Sequence, residues 1–326
     1  MNNFVITNRK IKGYQNRTQV TVFEFSGLSD DNELVPILIV FLLLVYVVTI
    51  LGNLGMISLV YTFSSLHTPM YFFLCSLSLA DLFYSSVITP NTLFQLLSLK
   101  KSISFFGCAL QLYFFCALAS TETLLLSTMS YDRYVAICYP FHYNLIMTKK
   151  KSFGLIILCY SLCFMQSFAH TCCVFSLPFC GPNLIDHFYC DIPPLLKLSC
   201  SNPLHCTMVT GILVVIYGIY TFTTISLSYA FIFLSIFRMT SSNGRLKAFS
   251  TCSSHIICLS TFFTTVFFVY LGPHSGVFEL QDKMASVFYT TVPPMLNPLI
   301  YSLRNQEVKQ ILIQAIKKSL NRTPPQ

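Results

Sequence analysis

Two carboxylic acids stand inside stretches that are otherwise apolar. Asp81 interrupts the run that begins at Met70, and Glu122 interrupts the run from Phe105 to about Cys138. A lone carboxylate is costly to bury, so such acids are either neutral and hydrogen-bonded or they share a cation. Carboxylate, Ser and Asn oxygens suit a hard ion, which makes Asp81 and Glu122 a candidate site for a hard monovalent cation. The run that holds Glu122 closes on Asp132-Arg133, flanked by Tyr131 and Tyr134. Arg133 follows Glu122 by eleven residues, about three helical turns, so the two lie on nearly one face. An arginine with an adjacent counter-charge and an acid on its own face looks into a helix bundle rather than snorkelling to lipid.

Cysteine supplies the other chemistry. Cys108 opens the third apolar run, and Cys180, Cys190 and Cys200 stand ten apart after the fourth. Outside the cell these four can form disulfides, and the sequence leaves three pairings open. The remaining cysteines, Cys116, Cys138, Cys163 and Cys258 among them, read as small buried hydrophobes. His170-Thr171-Cys172-Cys173 carries soft metal ligands without the spacing of a closed zinc site. Nothing resembles a nucleophile–base set or a phosphate-binding glycine loop, so no enzymatic activity is expected.

The elements that position these residues are membrane spans. The chain is 54% hydrophobic and 10% charged, far below the ~25% charged residues of a soluble domain. Seven runs are long enough to cross a bilayer. They are Val35 to Tyr61, Met70 to about Leu97, Phe105 to about Cys138, Ser152 to about Phe175, about Thr207 to Met239, Ala248 to Leu271, and Met284 to Leu303. The organisation read from this is a polar N-terminal segment over 1–34, one all-α seven-helix membrane bundle over 35–303, and a tail over 304–326. The N-terminal segment lacks the apolar stretch of a cleavable signal and carries a sequon at Asn16. In the tail, Val308, Ile311, Leu312, Ala315 and Ile316 recur at helical spacing against lysines and glutamines. That pattern predicts a short amphipathic eighth helix on the membrane surface.

Several strings carry a family resemblance. Met129-Ser130-Tyr131-Asp132-Arg133-Tyr134-Val135-Ala136-Ile137-Cys138-Tyr139-Pro140 resembles the end of the third helix in odorant receptors, a branch of the rhodopsin-like G-protein-coupled receptors. Leu66-His67-Thr68-Pro69-Met70-Tyr71 through Asp81 resembles their second helix, and Ser228-Tyr229 fits their fifth. Lys247 through His255 resembles their sixth helix, and Pro294-Met295-Leu296-Asn297-Pro298 through Asn305 their seventh. These marks stand in the family's order and span Gly52 to Asn305.

The resemblance implies a cytoplasmic switch of Asp132, Arg133, Tyr134, Tyr229, Asn297, Pro298 and Tyr301, with Asp132 holding Arg133 at rest. It implies the pairings Cys108–Cys190 and Cys180–Cys200, and an allosteric sodium ion beside Asp81. It implies a small volatile ligand, a stimulatory olfactory-type G protein as partner, and a multi-pass plasma-membrane protein in the cilia of olfactory neurons. The pocket is expected among Phe115, Cys116, Ala119, Ser120, Thr210, Tyr217, Phe263, Phe267, Tyr270 and Phe288. The third helix holds no acid between Cys108 and Glu122, which argues against an amine ligand, and Thr291 stands where retinal linkage needs a lysine. One departure is Phe262-Phe263-Thr264, where the family usually has Phe-Tyr-Gly, so a hydroxyl is missing at Phe263.

Orientation is read from the basic residues. An outside N-terminus places Arg133, Lys149, Lys150, Lys151, Arg238, Arg245, Lys247, Arg304, Lys309, Lys317, Lys318 and Arg322 inside, a majority of the chain's 20 Lys and Arg. The net charge of +8 then lies mainly against anionic lipid and implies no nucleic-acid partner. Transporters and channels show repeated halves and paired intramembrane charges, and this chain shows no internal repeat.

Overall fold

The fold is taken from a computed structural model, which describes residues 20–29, 31–98, 100–180, 182–271, 279–304, 308–311 and 313. Seven long helices form the bundle: α1 (Leu34–Thr62), α2 (Pro69–Leu97), α3 (Phe105–Cys138), α5 (Lys149–Phe175), α7 (Leu204–Arg238), α8 (Ser242–Leu271) and α9 (Glu279–Arg304). Two short helices, α4 (Tyr143–Ile146) and α6 (Ile192–Lys197), lie in the connections on either side of α5. Among the described residues, α1, α2, α3, α5 and α7 are long and apolar enough to cross a membrane. Their outer faces carry exposed Ile37, Val40, Leu44 and Leu51 on α1 and Ile212, Val215, Ile219 and Phe222 on α7. Apolar surface on that scale is compatible with lipid and not with water.

The starts of the helices follow local chemistry. Pro69 opens α2 at a position where no N–H is needed. Ser104 Oγ accepts from Gly107 N at the start of α3, and Thr148 Oγ1 accepts from Lys151 N at the start of α5. Helix α8 begins at Ser242 rather than Ala248, because a polar helical turn precedes the apolar run; Ser241 Oγ accepts from Gly244 N there.

The packing of α1 on α9 has a specific cause. Pro298 lies inside α9 and has no N–H, so the Pro294 carbonyl one turn back has no helical donor. Asn53 Nδ2 of α1 donates to that carbonyl at 3.0 Å and to Thr49 O of its own helix at 2.9 Å. Gly52 lets the helices approach: a Cβ there would stand 3.0 Å from Pro298 Cγ.

At the end of the bundle opposite Arg133 lies a small sheet that hydropathy did not announce. The strand β1 (Val22–Phe25) pairs antiparallel with β2 (Ser102–Ser104) and parallel with β3 (Leu184–Ile185), giving the order β2-β1-β3. Strand alternation buries Phe23 and Phe25 and exposes Val22 and Glu24. The two phenylalanines pack with Leu112, Val174, Ile185 and Leu195 around the Cys108–Cys190 disulfide. Cys180 pairs with Cys200, and a third disulfide, Cys173–Cys206, joins the end of α5 to the start of α7. Of the eighth-helix stretch, residues 308–311 and 313 are helical, with Val308 and Ile311 buried and Lys309 and Gln310 exposed. Asn16 and the remaining tail positions lie outside the described residues.

Two stability predictions follow from these contacts. Asn53→Ala strands a buried carbonyl and should destabilise the bundle by about 1–3 kcal/mol; thermal unfolding of the solubilised protein measures it, and an unchanged midpoint counts against the α1–α9 contact. Removing the Cys108–Cys190 link by Cys108→Ser should cost about 2–5 kcal/mol, read as loss of surface-exposed folded protein.

Candidate functional site

At the Arg133 end, the last turns of α3 face α7, α8 and α9. Arg133 is buried and close enough to act electrostatically on Tyr229, His255 and Tyr301. Tyr229 of α7 is tied to α8 by a 2.7 Å hydrogen bond between its Oη and His255 Nδ1. Arg133 acts on Asp132 through space, but the direct hydrogen bond to the carboxylate comes from Tyr143 Oη of α4, at 2.9 Å. The reason is geometric: neighbouring side chains on a helix diverge by about 100°, so Asp132 turns to the loop and Arg133 to the bundle. Tyr134 is half-buried and donates to Tyr139 Oη at 3.4 Å. Lys151 Nζ lies 5.9 Å from the centre of the Tyr131 ring.

Midway along the bundle, α2, α3 and α9 meet at the two acids. Asn297 Nδ2 donates to both oxygens of Asp81, at 3.3 and 3.1 Å. Asp81 and Glu122 are themselves in hydrogen-bonding contact, both fully inside the protein. Two anionic carboxylates cannot hold that contact, so it calls for a proton or a cation between them. Glu122 Oε1 and Asn53 Oδ1 are buried without a hydrogen-bond partner.

Above the acids, the expected pocket residues separate into groups. Phe115 is enclosed, stacked on Tyr84 (5.7 Å) and tilted against Tyr189 (5.0 Å). Cys116, Ala119 and Ser120 are half-buried on α3, and Phe263 packs against the main core from α8. Thr210 is buried, but its hydroxyl bonds back to Cys206 O, and Tyr217 Oη donates to Leu162 O. Phe288 does not line the bundle interior: it is half exposed, and its neighbour Tyr289 takes the inward place against Phe115 and Tyr84. A phase error of one residue on a helix turns a side chain by about 100°. Phe267 and Tyr270 have side chains outside the described set.

The rim under the sheet is a charged lattice that the sequence did not reveal. Lys283 of α9 pairs with Asp186 at 3.1 Å and donates to Ser26 Oγ, which in turn donates to Asp186. His187 Nε2 lies 3.3 Å from Ser286 Oγ. Asp191 accepts from Ile192 N and caps α6. Its enclosure raises its pKa to about 6, against the lowering effect of the Ile192 N–H and the Tyr189 hydroxyl. Enclosure and the Lys283 charge push His187 down to about 3.

A family model described as "Olfactory receptor" matches residues 42–319. Mouse olfactory receptor 5AR1 (Mus musculus) is 49% identical over 95% of this chain and 99% of its own. Human olfactory receptors 5B12 and 5F1 (Homo sapiens) are each 48% identical, over 94% and 93% of this chain and 97% of theirs. The chain therefore belongs to the olfactory receptor family of rhodopsin-like G-protein-coupled receptors. It is a multi-pass membrane protein with an odorant ligand and a G-protein partner, and it is not an enzyme.

The rim makes a pH prediction with two opposed parts. His187 has a lowered pKa, so its contribution to stability is present above about 6.5 and is lost as pH falls toward about 3. Asp191 has a raised pKa, so its contribution is present below about 3.8 and is lost as pH rises through about 6. Between pH 6.5 and 4 the two oppose each other, and His187→Gln separates them. Hydrogen exchange at Phe25, Ser26 and Gly27 in the variant should show protection that rises on acidification; protection that falls as steeply as in the unaltered protein contradicts the assignment.

Proposed function

We propose that this receptor binds small uncharged volatiles in the upper bundle and activates a stimulatory olfactory-type G protein, raising cAMP. The observation that carries the ligand class is the charge balance around the pocket. Lys283 is engaged by Asp186 and Ser26, and Asp191 by the Ile192 N–H. A charged ligand would give up hydration and find those partners already taken. An uncharged one meets Phe115, Cys116, Ala119 and Phe263 with few polar groups, the usual make-up of a small-molecule site.

In this reading the N-terminus and the disulfides face outward, the Arg133 end faces the cytosol, and the protein works in the cilia of olfactory neurons. Asn16 is then glycosylated, and the tail lies on anionic lipid. The Asp81–Glu122 contact, with unpartnered oxygens on Glu122 and Asn53, fits a sodium ion, which would supply the positive charge the two carboxylates lack. Asn297 holds Asp81 in place by donating to both of its oxygens. On the cytoplasmic side Arg133, Tyr229 and Tyr301 converge from helices that must separate to admit the G-protein tail.

Two measurements test this. A cAMP screen should find its strongest agonists among uncharged alcohols, ketones and esters; a carboxylate or protonated amine as the strongest agonist would reverse the ligand class. Arg133→Ala should abolish the cAMP response at surface levels close to those of the unaltered receptor, and normal signalling in that variant would remove Arg133 from the switch.

A further inference from the structure

The face of α5 that packs on α3 carries two buried polar side chains whose hydrogen bonding is incomplete. Gln166 and His170 are 7% and 2% exposed, and Gln166 Nε2 lies 3.1 Å from His170 Nε2. Gln166 Oε1 and His170 Nδ1 are buried with no partner. If the amide nitrogen donates to Nε2, the imidazole proton is on Nδ1, leaving a free donor there and a free acceptor at Oε1. If the amide stands the other way round and accepts from Nε2–H, the free donor is the amide nitrogen and the free acceptor is Nδ1. Either way the pair offers unused N–H donors and one unused acceptor. Leaving both unmade is costly in a buried site.

Their height is fixed by two contacts between α3 and α5. Cys163 hydrogen-bonds Thr121, and Ser167 Oγ donates to Tyr113 O. Gln166 lies between these rungs, one residue from the Tyr113 rung, whereas Ser120 adjoins the Thr121 rung. Ser120 follows Tyr113 by seven residues, two helical turns, so it lies on the face of α3 that Tyr113 turns to α5. His170 stands one turn farther toward the sheet.

We propose that Gln166 and His170 form a polar subsite that takes the hydroxyl group of an alcohol ligand. This rests on the reading that the bundle binds small uncharged molecules and narrows it. A hydroxyl donates and accepts at one atom and completes both unused groups. A ketone, ester or ether only accepts, so it pairs with the site's donor and leaves the acceptor unpaired, and an alkane leaves both unpaired.

The test is a dose–response series on the full-length receptor in cells, with surface level measured, using an alcohol and the methyl ether, ketone and alkane of matched length. In His170→Phe and Gln166→Leu the half-maximal concentration for the alcohol should rise about tenfold or more, the scale expected when a buried partner is lost. The ether and ketone, which use only the site's donor, should shift less than the alcohol, and the alkane by less than about twofold. His170→Asn places an amide near Nδ1 and should keep the preference for the alcohol; it also serves as the readout if His170→Phe does not reach the surface. A uniform shift for all four compounds means a packing role or an enclosed water, and it overturns the subsite, as does an unshifted alcohol response. An unaltered receptor that answers uncharged compounds with no preference for the alcohol also overturns it. One that answers only charged compounds instead removes the reading on which it rests.

Discussion

The contact on which the bundle depends is between an amide of one helix and a carbonyl that proline has released in another. Pro298 cannot donate to Pro294, and Asn53 supplies the missing donor from α1. Gly52 makes the approach possible, since any side chain would meet the Pro298 ring. One residue before Pro298, Asn297 grips Asp81 of α2. Three helices are therefore registered within a single turn of α9. That fixes the height of Asp81 against Glu122 and, one turn farther along α9, the place of Tyr301 beside Arg133. The acid pair and the switch are two consequences of the same seam.

The two ends of the molecule solve opposite problems. The disulfide end is cross-linked and sheet-capped, with charges neutralised among Lys283, Asp186 and Ser26. The Arg133 end is held by single hydrogen bonds between side chains on separate elements, such as Tyr229 to His255 and Tyr143 to Asp132. Covalent links resist motion, whereas lone hydrogen bonds net about 1 kcal/mol each and exchange readily. Movement is cheap where the helices must part and costly where the pocket must keep its shape.

Much of this was legible in the sequence because a bilayer demands long apolar runs, and runs of ~25 residues stand out in any hydropathy reading. Family strings around Arg133, His255 and Asn297 added position. What escaped was non-local or a matter of phase. The strand Val22–Phe25 is four residues inside a polar segment, and its partners lie in two distant loops. Cys173 and Cys206 sit at the ends of spans, where cysteine reads as a small hydrophobe, so their bond was not foreseen. Tyr143 is outside the motif whose aspartate it holds. Phe288 and Tyr289 are both aromatic, and only the turn of α9 decides which looks inward.

The sheet also sets an order of events during synthesis. Its central strand leaves the ribosome first, at Val22–Phe25, yet its neighbours are Ser102–Ser104 and Leu184–Ile185. The contact between Ser26 and Asp186 closes over a separation of 160 residues. Four of the seven long helices precede that second partner, and long-range pairing is slow because the loop must close before any contact rewards it. Pairing of this strand with Ser102–Ser104 can begin after two long helices, its pairing with Leu184–Ile185 only after four, and the Ser26–Lys283 contact only when α9 has been made. A segment made early thus completes its contacts only with the last helix of the bundle.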